Sequence, residues 1–327
     1  MMIKASSKLK EAFNHSYTRF VLKKAFFYLI ATFIALTFVF IIPRFMVETR
    51  SGFVYYFLGL DRPLEEQYLV FLNNLIHLNL GPSFTYYPST VVEIMFFPLL
   101  YSLILVVPVL FLSFFIGNWV GSKAAYIRNS RLSDIIYFIL LCCRAAPFYW
   151  LGIIIFVYFV TGSNIFLAHP GGISPEVSRG FTWEFFFDTF RHYAPAFLTL
   201  LIVNLGFWAV RMRALTLSEM ESNYIHYVEH LGFRGSTLRK YTQRNAILPQ
   251  FTMLNLRLNE LIGETLIVEN ILLWPGIGTL YMESIIGRDY PLIMGITLVF
   301  LLIAIVGNFI VDITYGFLDP RIKTRTS

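Results

Sequence analysis

The chain has 327 residues, of which 57% are hydrophobic, 14% are charged and 34 are phenylalanine. Soluble domains carry roughly 45–50% apolar and about 25% charged residues, so a water-soluble fold is excluded and an integral membrane protein is indicated. The net charge of +6 fits lysine and arginine gathered on cytoplasmic loops, and it calls for no nucleic-acid partner.

Apolar runs of about 20 residues cross the roughly 30 Å hydrocarbon layer as helices, and six candidates follow one another along the chain. The first covers residues 25–42 and ends at Pro43. It is longer than the core of a secretory signal peptide, and no small-residue cleavage site follows it. After it, Asp61, Pro63, Glu65 and Glu66 form a helix-start signature. Leu64, Tyr68, Phe71, Leu72, Leu75 and Ile76 then recur at helical spacing. This predicts a short amphipathic helix on the outer surface. The second span lies within the uncharged stretch 94–121, and the third runs from about 135 to 160 around Arg144. Within the third, Cys142 and Cys143 are adjacent. Their Cα atoms, about 3.8 Å apart, fall short of the disulfide span, so they are read as small apolar fillers. The "HPGGISP" stretch, 169–175, is an external loop, with His169 and His192 as polar residues of that side. The fourth span covers 194 to about 210, the fifth 247–273, and the sixth 291–318 with Asp312 near its end as a packing hydrogen-bonder.

Lysine and arginine decide the orientation. Eighteen of the 26 fall on the N-tail, the loop after the second span, the loop between the fourth and fifth, and the C-tail. Arg44, Arg50, Arg62, Arg179, Arg191 and Arg288 fall on the opposite side. The positive-inside rule places both termini in the cytoplasm.

The loop between the fourth and fifth spans, "NYIHYVEHLGFRGSTLRKYTQRNAILPQ" (223–250), is polar and basic. "LTLSEMESNYIHYVEH" reads as a short helix, Gly232 and Gly235 allow a change of direction, and Pro249 suits the start of the fifth span. A rigid helix between two turns is a lever that a partner can push; a solvated loop is the plainer alternative. "HYVEH" fits the inverted zinc-protease pattern, with His226 and His230 one turn apart as ligands and Glu229 as base. No third ligand follows on a nearby helix.

The fifth span holds Arg257, Glu260 and Glu264 on one helix face, since at 100° per residue they fall within a 60° arc. An ionised residue at mid-membrane costs about 2.5–3.5 kcal/mol on insertion scales, so such a stripe faces the bundle interior or water. Two readings stand: a path lined by opposite charges, or an internal ion pair of Arg257 with Glu260 together with Arg144 and Glu264. The turn after the span carries Trp274, Pro275, Gly276 and Gly278.

"RMRALTLSEMESNYIHYVEHLGF" followed by "RNAILP" resembles the cytoplasmic loop of ABC importer permeases of the dipeptide/oligopeptide branch. Tyr224, Ile225, Gly232, Arg244, Asn245, Ala246 and Pro249 fall on its pattern. Glu229, His230 and Leu231 stand where the family carries small residues. "GLDRPLEEQYLVFLNNLIHLNLGPSF", "VENILLWPGIGTLYMESIIGRDYPLIMG" and "VDITYGFLDPRI" resemble the same branch in the same order.

The resemblance implies an all-α integral membrane protein with six transmembrane helices. Residues 1–92 would form the N-tail, first span and external segment. Residues 93–318 would form a type I importer domain with a coupling loop at 214–246, and 319–327 the C-tail. Tyr224, Glu229, His230, Gly232, Gly235, Asn245 and Pro249 would couple to an ATPase. Apart from the resemblance, the charge pattern makes Arg144, Arg257, Glu260 and Glu264 the candidate residues of the translocation path, and Trp274, Pro275, Gly276 and Gly278 the external turn. The implied partners are a second, homologous permease, two cytoplasmic ATPase subunits, an external binding protein and membrane lipid, in a prokaryotic inner membrane. ATP and Mg belong to the ATPase subunits; no cofactor or metal is expected on this chain, which has no G-x-x-x-x-G-K-[ST] phosphate loop. Peptides are the expected substrate. Oligosaccharides and nickel also occur in the branch, nickel being disfavoured by the lack of a His or Cys cluster. An ion-coupled transporter working alone is the alternative outside the ABC class, and a zinc metalloprotease using His226, Glu229 and His230 is the enzyme alternative.

Overall fold

The computed structural model describes residues 2–46, 55 and 59–318, and the C-tail assigned to 319–327 lies outside them. The regular elements among the described residues are helices. In chain order they are α1 (Met2–Met46), α2 (Leu64–Ile76), α3 (Val91–Tyr126), α4 (Arg131–Ala145) and α5 (Phe148–Ile155), which runs into a π-helical stretch, Phe156–Gly162. Then come α6 (Trp183–Met220), α7 (Asn223–His230), α8 (Ser236–Ala246), α9 (Leu248–Ile271), α10 (Ile277–Ile286) and α11 (Tyr290–Leu318).

Four of these are long and apolar enough to cross a membrane: the 18–41 part of α1, α3, α6 and the 290–314 part of α11. A fifth span results if α4 and the α5 segment count as one, bent by 95°. The bend has a local cause. Pro147 disfavours the helical region for the residue before it, and Ala146 is extended, at φ −65° and ψ 121°. The expected straight third span is therefore two helices. α9 occupies the expected fifth position, with the charges of Arg257, Glu260, Glu264 and Glu269 along its 24 residues.

Two boundaries differ from the sequence reading. α1 continues through Pro43 to Met46, although a proline there removes a helical hydrogen bond and crowds the carbonyl four residues earlier. α6 starts at a Thr182 cap, whose hydroxyl accepts from the Phe185 N–H at 3.3 Å, and reaches Met220. Its 38 residues span about 57 Å at 1.5 Å each, longer than a bilayer core. Residues 214–220 of the stretch expected as a loop at 214–246 are thus helical.

The chain forms two compact units, Met1–Ile94 with Ser284–Ser327 and Met95–Glu283. The first unit thus holds the last helix together with the first 94 residues. In this first unit α1 pairs with α11. Asp312 accepts from Lys24 Nζ at 2.7 Å and from the Tyr28 hydroxyl at 2.9 Å, and the Tyr28 and Phe309 rings meet edge-on at 5.6 Å. The amphipathic α2 forms where its spacing predicted it. Its Tyr68 and Phe71 close over the buried Phe40 of α1, with centroids 5.0 and 5.5 Å away. Asp289 precedes α11, takes the Leu292 N–H at 3.2 Å, and also holds the 83–85 loop through the Ser83 hydroxyl and the Thr85 N–H. A fully buried carboxylate is acceptable there because three donors satisfy it.

The second unit packs through small residues. A Cβ built on Gly121 of α3 would strike the backbone carbonyl of Ala209 in α6, and one on Gly117 would come within 2.7 Å of Trp208 Cβ. Gly206 lets α6 approach the α4 backbone, where a Cβ would be 2.6 Å from the Arg144 nitrogen. Close backbone approach at glycines is the membrane substitute for hydrophobic driving force between helices. Above this seam Leu105, Val109, Leu200, Leu261, Val268 and Trp274 form a buried apolar cluster. We expect Gly121→Leu to lower the melting temperature and monodisperse yield of the purified protein sharply, since overpacking costs about 1–3 kcal/mol or more. Gly263→Leu on α9, where a Cβ meets nothing within 4 Å, should leave both unchanged. Equal thermal unfolding of the two variants would remove this account of the seam.

Candidate functional site

The elbow begins where α6 ends. Ser222 is extended and its hydroxyl donates to the Glu219 carbonyl at 2.6 Å. α7 then runs for eight residues. It stops in a glycine-dependent motif: the Gly232 N–H bonds to the Glu229 carbonyl at 2.9 Å, and the Phe233 N–H to that of Val228 at 3.3 Å. These are the two bonds of a Schellman cap, which needs a left-handed residue at the glycine position. Gly232 has φ +89° and Gly235 φ +63°. Gly235, with ψ −116°, is also the residue before α8, a conformation open almost only to glycine. Neither glycine has anything within 4 Å of a built Cβ. Their requirement is therefore conformational rather than steric.

One face of α7 is anchored and the other is bare. Ile225 is 5% exposed, whereas Tyr227, Leu231 and Phe233 stand out into solvent. The Tyr224 hydroxyl donates to the Glu219 carboxylate. Burial first, and then that bond, raise the Tyr224 phenol above its ordinary pKa. α8 is held from below: Gln243 donates to the Ser122 hydroxyl at 2.9 Å, and the Tyr126 hydroxyl donates to the Arg239 carbonyl at 3.2 Å. Asn245 lies half-buried in its last turn, and Pro249 sits at the start of α9. His226, Glu229 and His230 are exposed on α7. Among the described residues no group of three or more His, Cys, Asp and Glu side chains could hold a metal ion, so the zinc-protease pattern has no third ligand there.

The charged residues of α9 form one network. Arg257 donates to Glu260 at 2.6 Å, to Glu264 at 2.8 Å and to Asn204 of α6 at 2.8 Å. Asn204 in turn donates to Glu264 at 3.0 Å. The Arg257 and Glu264 side chains are 7% and 10% exposed, but that of Glu260 is 57% exposed. The stripe therefore has a buried half and an open half, on a face where Leu256, Asn259 and Gly263 are also exposed. The Arg144–Glu264 contact that belonged to the ion-pair reading does not form, and Arg257 and Asn204 hold that carboxylate instead. Arg144 lies beside the Phe207 ring, 6.0 Å from the centroid, with Arg257 4.7 Å from the same ring.

The turn at 274–278 is built around a residue that the sequence reading does not single out. Glu269 is fully buried. It accepts from the Ser102 hydroxyl at 2.5 Å and from the Gly278 N–H at 2.7 Å, while the Ile277 N–H bonds to Ser102 at 2.8 Å. A Cβ on Gly276 would collide with this carboxylate. Trp274 is buried and donates from its indole to the Tyr101 carbonyl at 3.2 Å. Pro275 packs on Gly172 of the "HPGGISP" loop, where a Cβ would lie 3.0 Å from the proline ring. The signal available in the sequence was a lone carboxylate seven and nine residues before two glycines, with no basic residue at helical spacing to pair it. His192, read from the sequence as a polar residue of the external side, is buried. It is 2% exposed and its ring meets the Asp188 carbonyl at 2.9 Å, while Asp188 accepts from Ser174 of the same loop.

Comparison with known proteins bears on these features. Residues 117–324 match the family described as binding-protein-dependent transport system inner membrane component. The chain is 31% identical over 283 residues to the oligopeptide transport system permease protein of Bacillus subtilis, covering 86% of this chain and 87% of that one. It is 31% identical to the di/tripeptide transport system permease protein of Pseudomonas aeruginosa, over 81% and 83% of the two chains. It is 30% identical to the glutathione transport system permease protein of Pectobacterium atrosepticum, over 82% of each.

Proposed function

Because the chain belongs to the family of inner membrane components of binding-protein-dependent transport systems, we propose that it is a six-span permease subunit forming half of the pore of an ATP-driven peptide importer. Its own role is non-catalytic. It pairs with a second, similar permease; two cytoplasmic ATPase subunits drive the pair, using ATP and Mg, and an external binding protein delivers the substrate. The chain sits in a prokaryotic inner membrane with both termini in the cytoplasm, a reading supported by its lysine and arginine distribution. Residues 1–92 supply the first span and the external segment, and 93–318 the importer domain.

The observation that carries the mechanism is the elbow. α7 is fixed on one side by Ile225, follows the extended Ser222 and ends in the glycine-dependent turn at Gly232, and it offers Tyr227, Leu231 and Phe233 to a partner. Tyr224, Glu229, His230, Gly232, Gly235, Asn245 and Pro249 build or border this lever. A rigid-body motion of the ATPase pushes α7, and α8 with its bonds to α3 carries the displacement into the bundle. Arg257, Glu260, Glu264 and Arg144 are the path residues. Their opposite charges suit a substrate carrying both an ammonium and a carboxylate, which supports peptides over uncharged oligosaccharides. Trp274, Pro275, Gly276 and Gly278 form the external turn. The relatives named for oligopeptide, di/tripeptide and glutathione transport support the same substrate class.

The test is reconstitution of the permease pair with its ATPases and binding protein in proteoliposomes. The expected result is uptake of a labelled tripeptide that needs binding protein outside and ATP at the ATPase side, with no uptake of a labelled trisaccharide or of nickel. Uptake by this chain alone in ATP-free vesicles under an ion gradient would overturn the reading.

A further inference from the structure

We propose that a cavity between α1, α2 and the first turns of α11 binds a short zwitterionic peptide directly, as a receiving site on the permease itself. The inference rests on the reading of the chain as a peptide importer permease, which assigns this end of α1 to the exterior.

The cavity has a volume of about 490 Å³, within the roughly 300–1,000 Å³ typical of small-molecule sites. Arg44, Asp61, Arg62, Phe71, Leu75 and Met294 line it. Its cationic corner is preorganised. The Arg44 guanidinium donates from Nε to Gln67 Oε1 at 2.9 Å and from Nη1 to the Phe40 carbonyl at 2.6 Å, and it lies 3.5 Å from the Phe40 ring centroid. Gln67 is buried, and its amide donates to the Arg62 carbonyl at 2.9 Å. One glutamine therefore fixes both the Arg44 head and the backbone that carries Arg62. A planar guanidinium held in place recognises a carboxylate with directional, charge-assisted hydrogen bonds, and little ordering entropy remains to be lost on binding.

Three features narrow the ligand. Two arginines call for a carboxylate, Asp61 on the same cavity calls for an ammonium, and Phe71, Leu75 and Met294 form an apolar wall for a side chain. A free peptide of two or three residues presents all three. A neutral sugar would leave the charged groups unmatched, which costs binding when such groups are desolvated. A metal ion would meet arginines where it needs anionic or imidazole ligands.

The experiment uses the assembled importer, with partner permease and ATPases, in nanodiscs without binding protein. The probe is phenylalanyl-alanine, compared with its C-terminal amide and its N-acetyl derivative by calorimetry. The expected result is saturable binding of the free dipeptide and at least tenfold weaker binding of both derivatives. Arg62→Gln should narrow the gap between acid and amide, and Met294→Trp should abolish binding by filling the cavity, with both complexes eluting as monodisperse particles. Arg62 is the informative arginine because Arg44 also braces α1 and could not be removed without disturbing it. Equal binding of acid and amide, or binding unaffected by Met294→Trp, would overturn the proposal. So would native mass spectrometry showing a phospholipid that Met294→Trp displaces in a complex that binds no dipeptide. The two failures are distinguishable: ATP-driven uptake through the binding protein without any binding here removes this site alone, whereas absence of that uptake in the wild type removes the importer reading.

Discussion

Arg257→Met is expected to strip the permease of most of its folded yield, and the double change Arg257→Met with Glu264→Met to restore the yield without restoring transport. The single change leaves the Glu264 carboxylate, 10% exposed, with Asn204 as its remaining partner in the network. Breaking a buried pair typically costs about 3–5 kcal/mol, against a total stability of about 5–15 kcal/mol for a folded domain. Replacing both partners by apolar side chains of similar size is near neutral, because no charge is left behind. Glu260 tolerates the loss of Arg257, since water reaches its side chain. Asn204 keeps its bond to the Leu200 carbonyl at 2.8 Å. Yield and melting temperature of the purified complex read the first effect, and initial peptide uptake per assembled complex reads the second. If the stripe lines the path, uptake in the double variant falls at least tenfold while the protein folds. A double variant that imports at the wild-type rate would reduce the network to a structural clamp between α6 and α9 and remove it from the path.

Gly232→Val is expected to uncouple ATP hydrolysis from transport while the protein still inserts and assembles. The left-handed backbone at φ +89° costs about 1–2 kcal/mol for a residue with a Cβ, and a β-branched side chain tolerates it least. Nothing lies within 4 Å of the built Cβ, so the cost is one of backbone conformation rather than of a clash at that atom. The strain is relieved by rotating the end of α7 relative to α8, which misaims the exposed Tyr227, Leu231 and Phe233. The expected result is a more than tenfold fall in uptake with membrane insertion unchanged. Gly232→Asn, which accepts the left-handed region, should keep most of the activity. A cysteine at Glu229 should crosslink to an ATPase subunit in the parent and lose that crosslink in the valine variant. Wild-type uptake by Gly232→Val would dismiss the lever.

Much of the architecture was legible because membrane helices announce themselves through long apolar runs, and because glycine and proline mark the turns between them. The elbow was legible for the same reason: Gly232 and Gly235 are backbone requirements, and such requirements are local. The clustering of Arg257, Glu260 and Glu264 followed from helical spacing alone. What escaped was anything that depends on a second helix. Spacing on α9 could not show that Asn204, 53 residues away, would complete the ring and exclude Arg144. Nor could it show that Glu269 is held by Ser102, which lies 167 residues earlier. The burial of His192, whose ring lies 2.9 Å from the Asp188 carbonyl and 3.5 Å from its carboxylate, likewise depends on packing that spacing does not show.

The sequence by itself determined that this chain is a helical membrane protein, where its turns fall and which residues carry charge into the bilayer. Each of these is set by the chain's own solvent preference and backbone freedom, within a few residues of one another. Only the tertiary structure decided which charges are buried and which face water, that the third span breaks at Pro147 by 95°, and that Gly121 and Gly206 are contact points rather than hinges. Those outcomes depend on which helices meet and how closely. In a bilayer, apolar surface gives little direction to that choice, and the steric fit of small residues and the pairing of buried polar groups decide it.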